Sequence, residues 1–249
     1  MRISADPNFE YWATGYSGCD GGNIDGRIWF CGIEFGGGHT RESLVFEDVS
    51  KPPSIPDEKL SKKLGYQYNQ KVAKLNAVIR DHSISSWRET AKQHNLFSDS
   101  SDIFKLNLYP VAFKRDAEEL WEPWLFEITG LPTKSIYRAW CQLYRFPKLK
   151  QWLEMGNPKL IVATGLSYAD HFNFAFSGND AAYNPIIQEE KLENRRIRWR
   201  VINDGKTVLA VVPFLGGASG LNSDAQLTAV GQRLRQLCNK QFGSQWLGS

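Results

Sequence analysis

The chain has 249 residues, 42% of them apolar, which is enough for a sizeable core in one large domain or two small ones. Lysine and arginine number 30 against 27 acids, a net of +3, so overall charge announces no nucleic-acid partner and such a surface has to be a local patch. No apolar run is long enough to cross a bilayer, no secretory signal stands out, and Cys19, Cys31, Cys141 and Cys238 form no Cys-x-x-Cys pair, which removes zinc ribbons and thioredoxin chemistry. A cytoplasmic protein with reduced, partly buried thiols is the expectation, with an iron–sulfur cluster on four scattered cysteines as the lesser alternative. The 9 tryptophans are assigned mainly to the core, with some free to act as stacking platforms.

In chain order, "DPNFEYWATGYSGCDGGNIDG" reads as a short helix followed by a glycine-rich loop, and "RIWFCGI" as a buried strand bounded by turn residues. Residues 50–59, "SKPPSIPDEK", form a proline-broken loop. "KLGYQYNQKVAKLNAVIRDH" carries Tyr68, Val72, Leu75 and Ile79 on one helical side, and "SISSWRETAKQHNLF" is a second helix with a serine cap before Trp87. "DIFKLNLYPVAF" is a strand running into a loop at Pro110; "DAEELWEPWLFEITG" and "TKSIYRAWCQLYRFPKLKQWLEMG" are helical. "PKLIVATG" is a short buried strand and "LSYADHFNFAF" the helix leaving it. "RIRWRVI" and "TVLAVVPF" flank the hairpin turn "NDGK", and "DAQLTAVGQRLRQLCNKQF" closes the chain as an amphipathic helix. No internal repeat is visible. Strands alternating with helices predict a single α/β domain over 1–249, with a mostly parallel central sheet and helices on both faces. In such sheets a ligand sits beyond the carboxyl ends of the strands, where the polar loops 34–40, 107–115 and 214–224 emerge.

The first of these loops lies in "IWFCGIEFGGGHT" (28–40), where an apolar run ends in Glu34, Phe35, the glycines 36–38 and His39. The stretch has neither the spacing of a phosphate-binding loop nor that of a dinucleotide fingerprint, and a glutamate beside phosphate would repel it. The acid therefore looks like a reacting or recognising group.

"FCGIEFGG" resembles the first motif of the uracil-DNA glycosylase superfamily, which reads G-I-N-P-G in the mismatch-specific branch and G-Q-D-P-Y-H in the uracil-specific branch. Gly32 and Ile33 match, Glu34 stands at the catalytic acid or amide, and Phe35 replaces the proline. "KLNLYPVAF" places Asn107 where the superfamily has a base-reading asparagine. "GGASGLNS" (216–223) resembles the loop before the last helix, matching at Ser219, Gly220 and Leu221 but lacking the histidine and proline. The resemblance implies a three-layer α/β fold and a monofunctional DNA glycosylase that needs no metal and no organic cofactor. Its partner would be DNA, double- or single-stranded with a flipped nucleotide, and the protein would work as a monomer.

Under that resemblance Glu34 positions a water or stabilises the developing sugar cation, and Asn107 reads the base edge. Ile33, Phe35 and Gly36 line the base, Phe46 stacks on it, and Tyr109 and Trp140 line an enlarged pocket where Asp20 and Asn23 bind sugar hydroxyls. Gly37, Gly38, His39, Ser219 and Asn222 contact DNA, Leu221 is the wedge that fills the stack, and Lys114, Arg115 and Arg196 meet phosphates. Arg195, Arg198 and Arg200 share the basic stretch 191–200. Gly36 stands where the uracil-specific branch has a tyrosine that crowds the pyrimidine 5-position. Its absence suits a pyrimidine enlarged there, including the glucosylated hydroxymethylcytosine of phage DNA that an anti-phage glycosylase of this superfamily would remove.

Each residue also has a structural reading. Glu34 can be a solvated loop acid or an N-cap partner, Asn107 a turn cap before Pro110, and Asn222 the cap of the last helix. Asp20 and Asn23 can be turn residues, His39 a surface residue, His171 a helix-face residue, and the glycine run a flexible turn. The arginine stretch can be a solvated strand edge. Two other functions stay open: DNA binding without catalysis, and nucleoside hydrolysis.

Overall fold

A computed structural model describes residues 4–115, 117–180 and 188–248, with the side chains of residues 57 and 58 outside the description. Helix α1 (Pro7–Thr14) starts where Asp6 accepts the amide of Asn8 at 2.9 Å and Pro7 needs no partner for a missing N–H. Strand β1 (Cys19–Gly22) follows, then β2 (Ile28–Gly32), α2 (Asp57–Lys63), α3 (Gln67–Ile79) and α4 (Trp87–Gln93). Strand β3 (Ile103–Asn107) leads to α5 (Pro123–Thr129), α6 (Lys134–Trp140) and α7 (Phe146–Gly156). Beyond them come β4 (Leu160–Thr164), α8 (Ala169–Ser177), β5 (Gln188–Leu192), β6 (Arg195–Ile202), β7 (Thr207–Val212) and α9 (Asp224–Phe242).

The strands form one seven-stranded sheet in the order β1-β3-β2-β4-β7-β6-β5. Its centre, β3-β2-β4-β7, is parallel; β1 runs antiparallel to β3, and β5–β6–β7 is an antiparallel edge. The central strands are buried along their whole length, which is why they read as unbroken apolar runs. Alternate residues serve two cores: Trp29, Cys31, Phe104 and Ile161 face one that includes residues of α1, α6, α7 and α8. Ile28, Phe30, Ile103 and Leu160 face the other, which includes residues of α3, α4 and α9. The sheet is therefore mixed, parallel in its middle, with helices packed on both faces.

Several local expectations change. β1 was absent from the sequence reading because its glycines carry no apolar alternation; a Cβ on Gly22 would stand 2.1 Å from the Ile103 carbonyl, so only glycine lets β1 approach β3. β5 also went unread, being polar and exposed. The serine cap expected before Trp87 is Ser83, although the helical stretch opens with a 3₁₀ turn at Ile84–Ser86 before α4 begins. Residues 57–63 are helical where the proline-broken loop was to run to 59. Asp116, the first residue of the stretch read as helical before Gly130, lies outside the described residues; only Glu118–Leu120 and Pro123–Thr129 are helical there. The run from 134 to 156 is interrupted by a π turn at Cys141–Arg145, where the Phe146 amide reaches back to the Cys141 carbonyl just before Pro147.

Among the parallel strands, the chain steps from β2 to β3 on one side and then to β4 and β7 on the other. The order reverses between β2 and β4, so the carboxyl ends at Gly32, Asn107 and Thr164 surround a topological switch point.

Candidate functional site

A cavity of about 600 Å³ opens at that switch point. Glu34, Phe35, Gly36 and Gly37 line it from the first loop, Asn107 from the end of β3, and Asp20 from β1. The first two loops meet because they run side by side: Leu108, Tyr109 and Phe113 donate their amides to the carbonyls of Gly32, Ile33 and Phe35 at 3.0, 2.9 and 3.1 Å. Asn107 is buried, and its Nδ2 donates to the Gly18 carbonyl at 3.1 Å. A Cβ on Gly32 would stand 2.2 Å from the Asn107 Oδ1, so the asparagine needs glycine opposite it.

Other cavity residues went unrecognised in the sequence. Lys105 precedes Asn107 by two positions on β3 and so shares its face. Its ammonium pairs with Asp20, with Lys63 3.8 Å from the other Asp20 oxygen. Burial drives the Lys105 pKa down to about 7, while contact with the Asp20 carboxylate favours the charged form. Tyr66 and Phe214 are aromatics 59% and 47% exposed on the cavity wall, available for a planar ring to stack on. Tyr68, expected on the apolar stripe of its helix, instead reaches the cavity; its hydroxyl bonds Thr164 Oγ1 at 2.8 Å and burial raises its pKa. The signal for Lys105 was present: a lone charge inside an apolar strand, in phase with Asn107.

Asp20 reaches Lys105 through a β-bulge. Cys19 pairs with Leu106 and Gly21 with Lys105, and the register shifts between Cys19 and Gly21, leaving Asp20 as the extra residue.

Glu34 lines the cavity, but its carboxylate runs toward α6, where Lys134 Nζ lies 3.4 Å from Oε1 and Arg138 4.0 Å from Oε2. Lys134 is 0% exposed and sits over the Phe113 ring at 3.7 Å. The solvated-acid reading of Glu34 is thereby corrected: the carboxylate lies between the buried Lys134 and the half-buried Arg138.

The three glycines differ. Gly37 and Gly38 have φ of +102° and +75°, which favour glycine, whereas Gly36 has no such φ and a Cβ there meets nothing within 4 Å. Gly36 leaves space; its neighbours make the turn. Gly37 also borders a second hollow of about 330 Å³, lined by Gly38, His39 and Lys114. Burial lowers the His39 pKa.

The remaining candidates lie away from the main cavity lining. Tyr109 is buried and bonds His171 Nδ1 through its hydroxyl at 2.6 Å; Trp140 is buried against Phe9 and Tyr144. Both are core residues, not pocket walls. Phe46 packs on Phe9 and Trp12, and Ile33 points at Gly165. Asn23 accepts the amide of Asp25 at 2.9 Å, a turn role. Leu221 is 0% exposed in the core and cannot act as a wedge in this arrangement; Phe214 is what the third loop adds to the cavity. Asn222 ties its own loop by donating to the Gly217 carbonyl at 2.6 Å, and the helix cap is Ser223, which accepts from the Gln226 amide. Ser219 is exposed on that loop, outside the cavity lining.

The basic stretch is also dispersed. β6 lies between β5 and β7, so it is not the edge strand. Arg195 donates to the Gly220 and Ala218 carbonyls, Arg200 to Asn173 Oδ1, and Arg196 and Arg198 pair with Glu189. Arg115 pairs with Glu119 on the surface.

Arg145, turned inward by the π turn, was another omission. It is fully buried and donates to the carbonyls of Leu108, Ala13, Ser17 and Asn107 at 2.8, 2.5, 2.7 and 3.2 Å, clamping the segments that hold Asn107. The four cysteines are free and buried. No group of three or more His, Cys, Asp or Glu side chains fit to hold a metal occurs among the described residues, and no described helix is long and apolar enough to cross a membrane. Comparison of the chain with protein-family models, with curated proteins and with solved structures finds no match.

Proposed function

We propose that the protein is a DNA glycosylase that hydrolyses the base–deoxyribose bond of a modified pyrimidine, and that its sheet with two helical layers is the three-layer fold of the uracil-DNA glycosylase superfamily. One observation carries this reading: Asn107, the 34–37 loop and exposed aromatic rings converge on one cavity at the switch point of the sheet. Its volume, about 600 Å³, suits a single extruded base with a bulky substituent. In the reaction, water oxygen attacks C1′, the C1′–N bond breaks with its electron pair leaving on the base, and the proton lost by the water ends on that base, leaving a hydroxyl on C1′. Glu34 supplies negative charge for the sugar cation or holds the water; Asn107 offers the base edge an acceptor oxygen and a second N–H.

Binding without catalysis is the competing reading, favoured by the enclosure of Glu34 between Lys134 and Arg138. The decisive experiment measures abasic-site formation in matched DNAs carrying uracil, hydroxymethylcytosine or its glucosylated form. We expect release of the bulky bases, a loss of about a hundredfold or more in Glu34→Gln with DNA binding retained, and loss of bulky-base release in Gly36→Tyr. The Gly36 variant is a clean probe because the backbone tolerates a side chain there. Absence of abasic sites with every DNA sinks the catalytic reading, and a parent preference for plain uracil sinks the enlarged pocket.

A further inference from the structure

Resting on the glycosylase reading, we propose that Asp20 reads the far edge of the bound base and selects pyrimidines bearing a 4-amino group over those bearing a 4-oxo group. In a pyrimidine nucleotide C4 lies across the ring from N1, the atom joined to the sugar. Whichever face of the ring is up, the 4-substituent enters deepest. Asn107 stands at the end of β3 and Lys105 two residues further inside on the same face, so the Asp20–Lys105 pair lies beyond the asparagine along the strand.

The pair is built, not incidental. Cys19 pairs with Leu106 in an antiparallel ladder, so the next residue, Asp20, comes opposite Lys105, and the bulge lets Gly21 take the backbone pairing with Lys105. Lys105 gives one hydrogen bond to Asp20 Oδ2, and its ammonium lies 5.0 and 5.8 Å from the centres of the Tyr68 and Phe97 rings. Its other protons therefore meet aromatic faces. Asp20 Oδ1 receives no hydrogen bond among the described residues; Lys63 stands off at 3.8 Å, and the side chain is 16% exposed at the cavity. What the far end of the cavity offers a ligand is an anionic acceptor. An exocyclic amine donates to it, whereas a 4-oxo group places a second acceptor against it, the same logic by which carboxylates read cytosine N4.

The test compares abasic-site formation in DNAs identical except for 5-hydroxymethylcytosine or 5-hydroxymethyluracil. The parent is expected to release the 4-amino base at least about tenfold faster, the lower range for one well-made base contact. Asp20→Asn, whose amide can donate to a 4-oxo group, brings that ratio to near one or inverts it. Lys105→Met keeps the 4-amino preference, since the carboxylate remains; this variant decides the matter if Asp20→Asn fails to fold by circular dichroism. Equal rates or a 4-oxo preference in the parent, an unchanged ratio in Asp20→Asn, or loss of the preference in Lys105→Met overturns the proposal. If the parent releases no base from any DNA, the glycosylase reading fails separately. Edge selection is then decided by NMR titration with 2′-deoxycytidine and 2′-deoxyuridine. Tighter deoxycytidine binding that Asp20→Asn abolishes supports it; equal or absent binding overturns it.

Discussion

Two carboxylate–lysine pairs flank the ends of β2 and β3. Glu34 with Lys134 and Arg138 lies toward α6, and Asp20 with Lys105 lies beside α3. The functional groups are the same; their surroundings differ. Lys134 is wholly enclosed, rests on the Phe113 ring and faces the Glu34 carboxylate. The Asp20 carboxylate stands at a cavity wall, with Lys105 on one oxygen and Lys63 3.8 Å from the other. A carboxylate turned from the cavity toward the cations of α6 acts in part as a strut, whereas one held on the β1–β3 side of the cavity acts first as a reader. The comparison predicts that damage at Glu34 lowers stability as well as base release, and that damage at Asp20 changes ligand choice at a smaller cost in stability.

The largest expected effect tests that directly. Glu34→Gln removes a carboxylate from beside the buried Lys134 and should cost about 3 kcal/mol in urea unfolding, with Lys134→Met in the same chain restoring part of it. Asp20→Asn, with water able to reach the pair, should cost about 1 kcal/mol. An equal or reversed order of costs would break the distinction between strut and reader.

A smaller effect concerns pH. Lys105 has its pKa lowered to about 7 by burial, against 10.5 for an ordinary lysine. Over the interval between these values the unfolded chain holds a proton that the folded chain has released. Stability should therefore rise as pH climbs from about 7 toward 10.5 and be flat for this group below 7. Asp20, Lys63 and Tyr68 face the same ammonium, and His39 and His94, both lowered by burial, add slope at more acidic pH. The difference between parent and Lys105→Met isolates the lysine. A slope identical in the two proteins would mean that contact with Asp20 offsets the cost of burial.

The smallest effect lies on β6, one strand in from the opposite edge of the sheet. Arg196 pairs with Glu189 in the open, so Arg196→Ala should change stability by less than about 0.5 kcal/mol. If it meets a DNA phosphate, the variant also lowers the slope of log affinity against log salt by about 1. An unchanged salt slope would remove Arg196 from the interface.

How much was legible follows from the kind of signal each residue carries. Strands β2, β3, β4 and β7 could be read because complete burial makes them unbroken apolar runs, and Glu34, Asn107 and Gly36 because they follow such runs. Tyr109 and Trp140 were misplaced because an aromatic that fills a core and one that lines a pocket look alike in sequence. Leu221 has the right neighbours for a wedge, yet packing draws it inside. Lys105 was visible as a charge in an apolar strand, but its partner was not: β1 is glycine-rich and its bulge leaves no periodic trace.

The amino-acid sequence alone determined the alternation of strands and helices, the parallel centre of the sheet and the end at which loops gather. These follow from local hydrophobic periodicity and turn chemistry, which act over a few residues. Tertiary structure alone decided which cations each of the two cavity acids meets. That choice depends on partners far along the chain: Lys134 for Glu34, and Lys105 for Asp20 across the bulged β1–β3 pairing. The electrostatic character of a carboxylate depends on what surrounds it in space, and no local pattern encodes that.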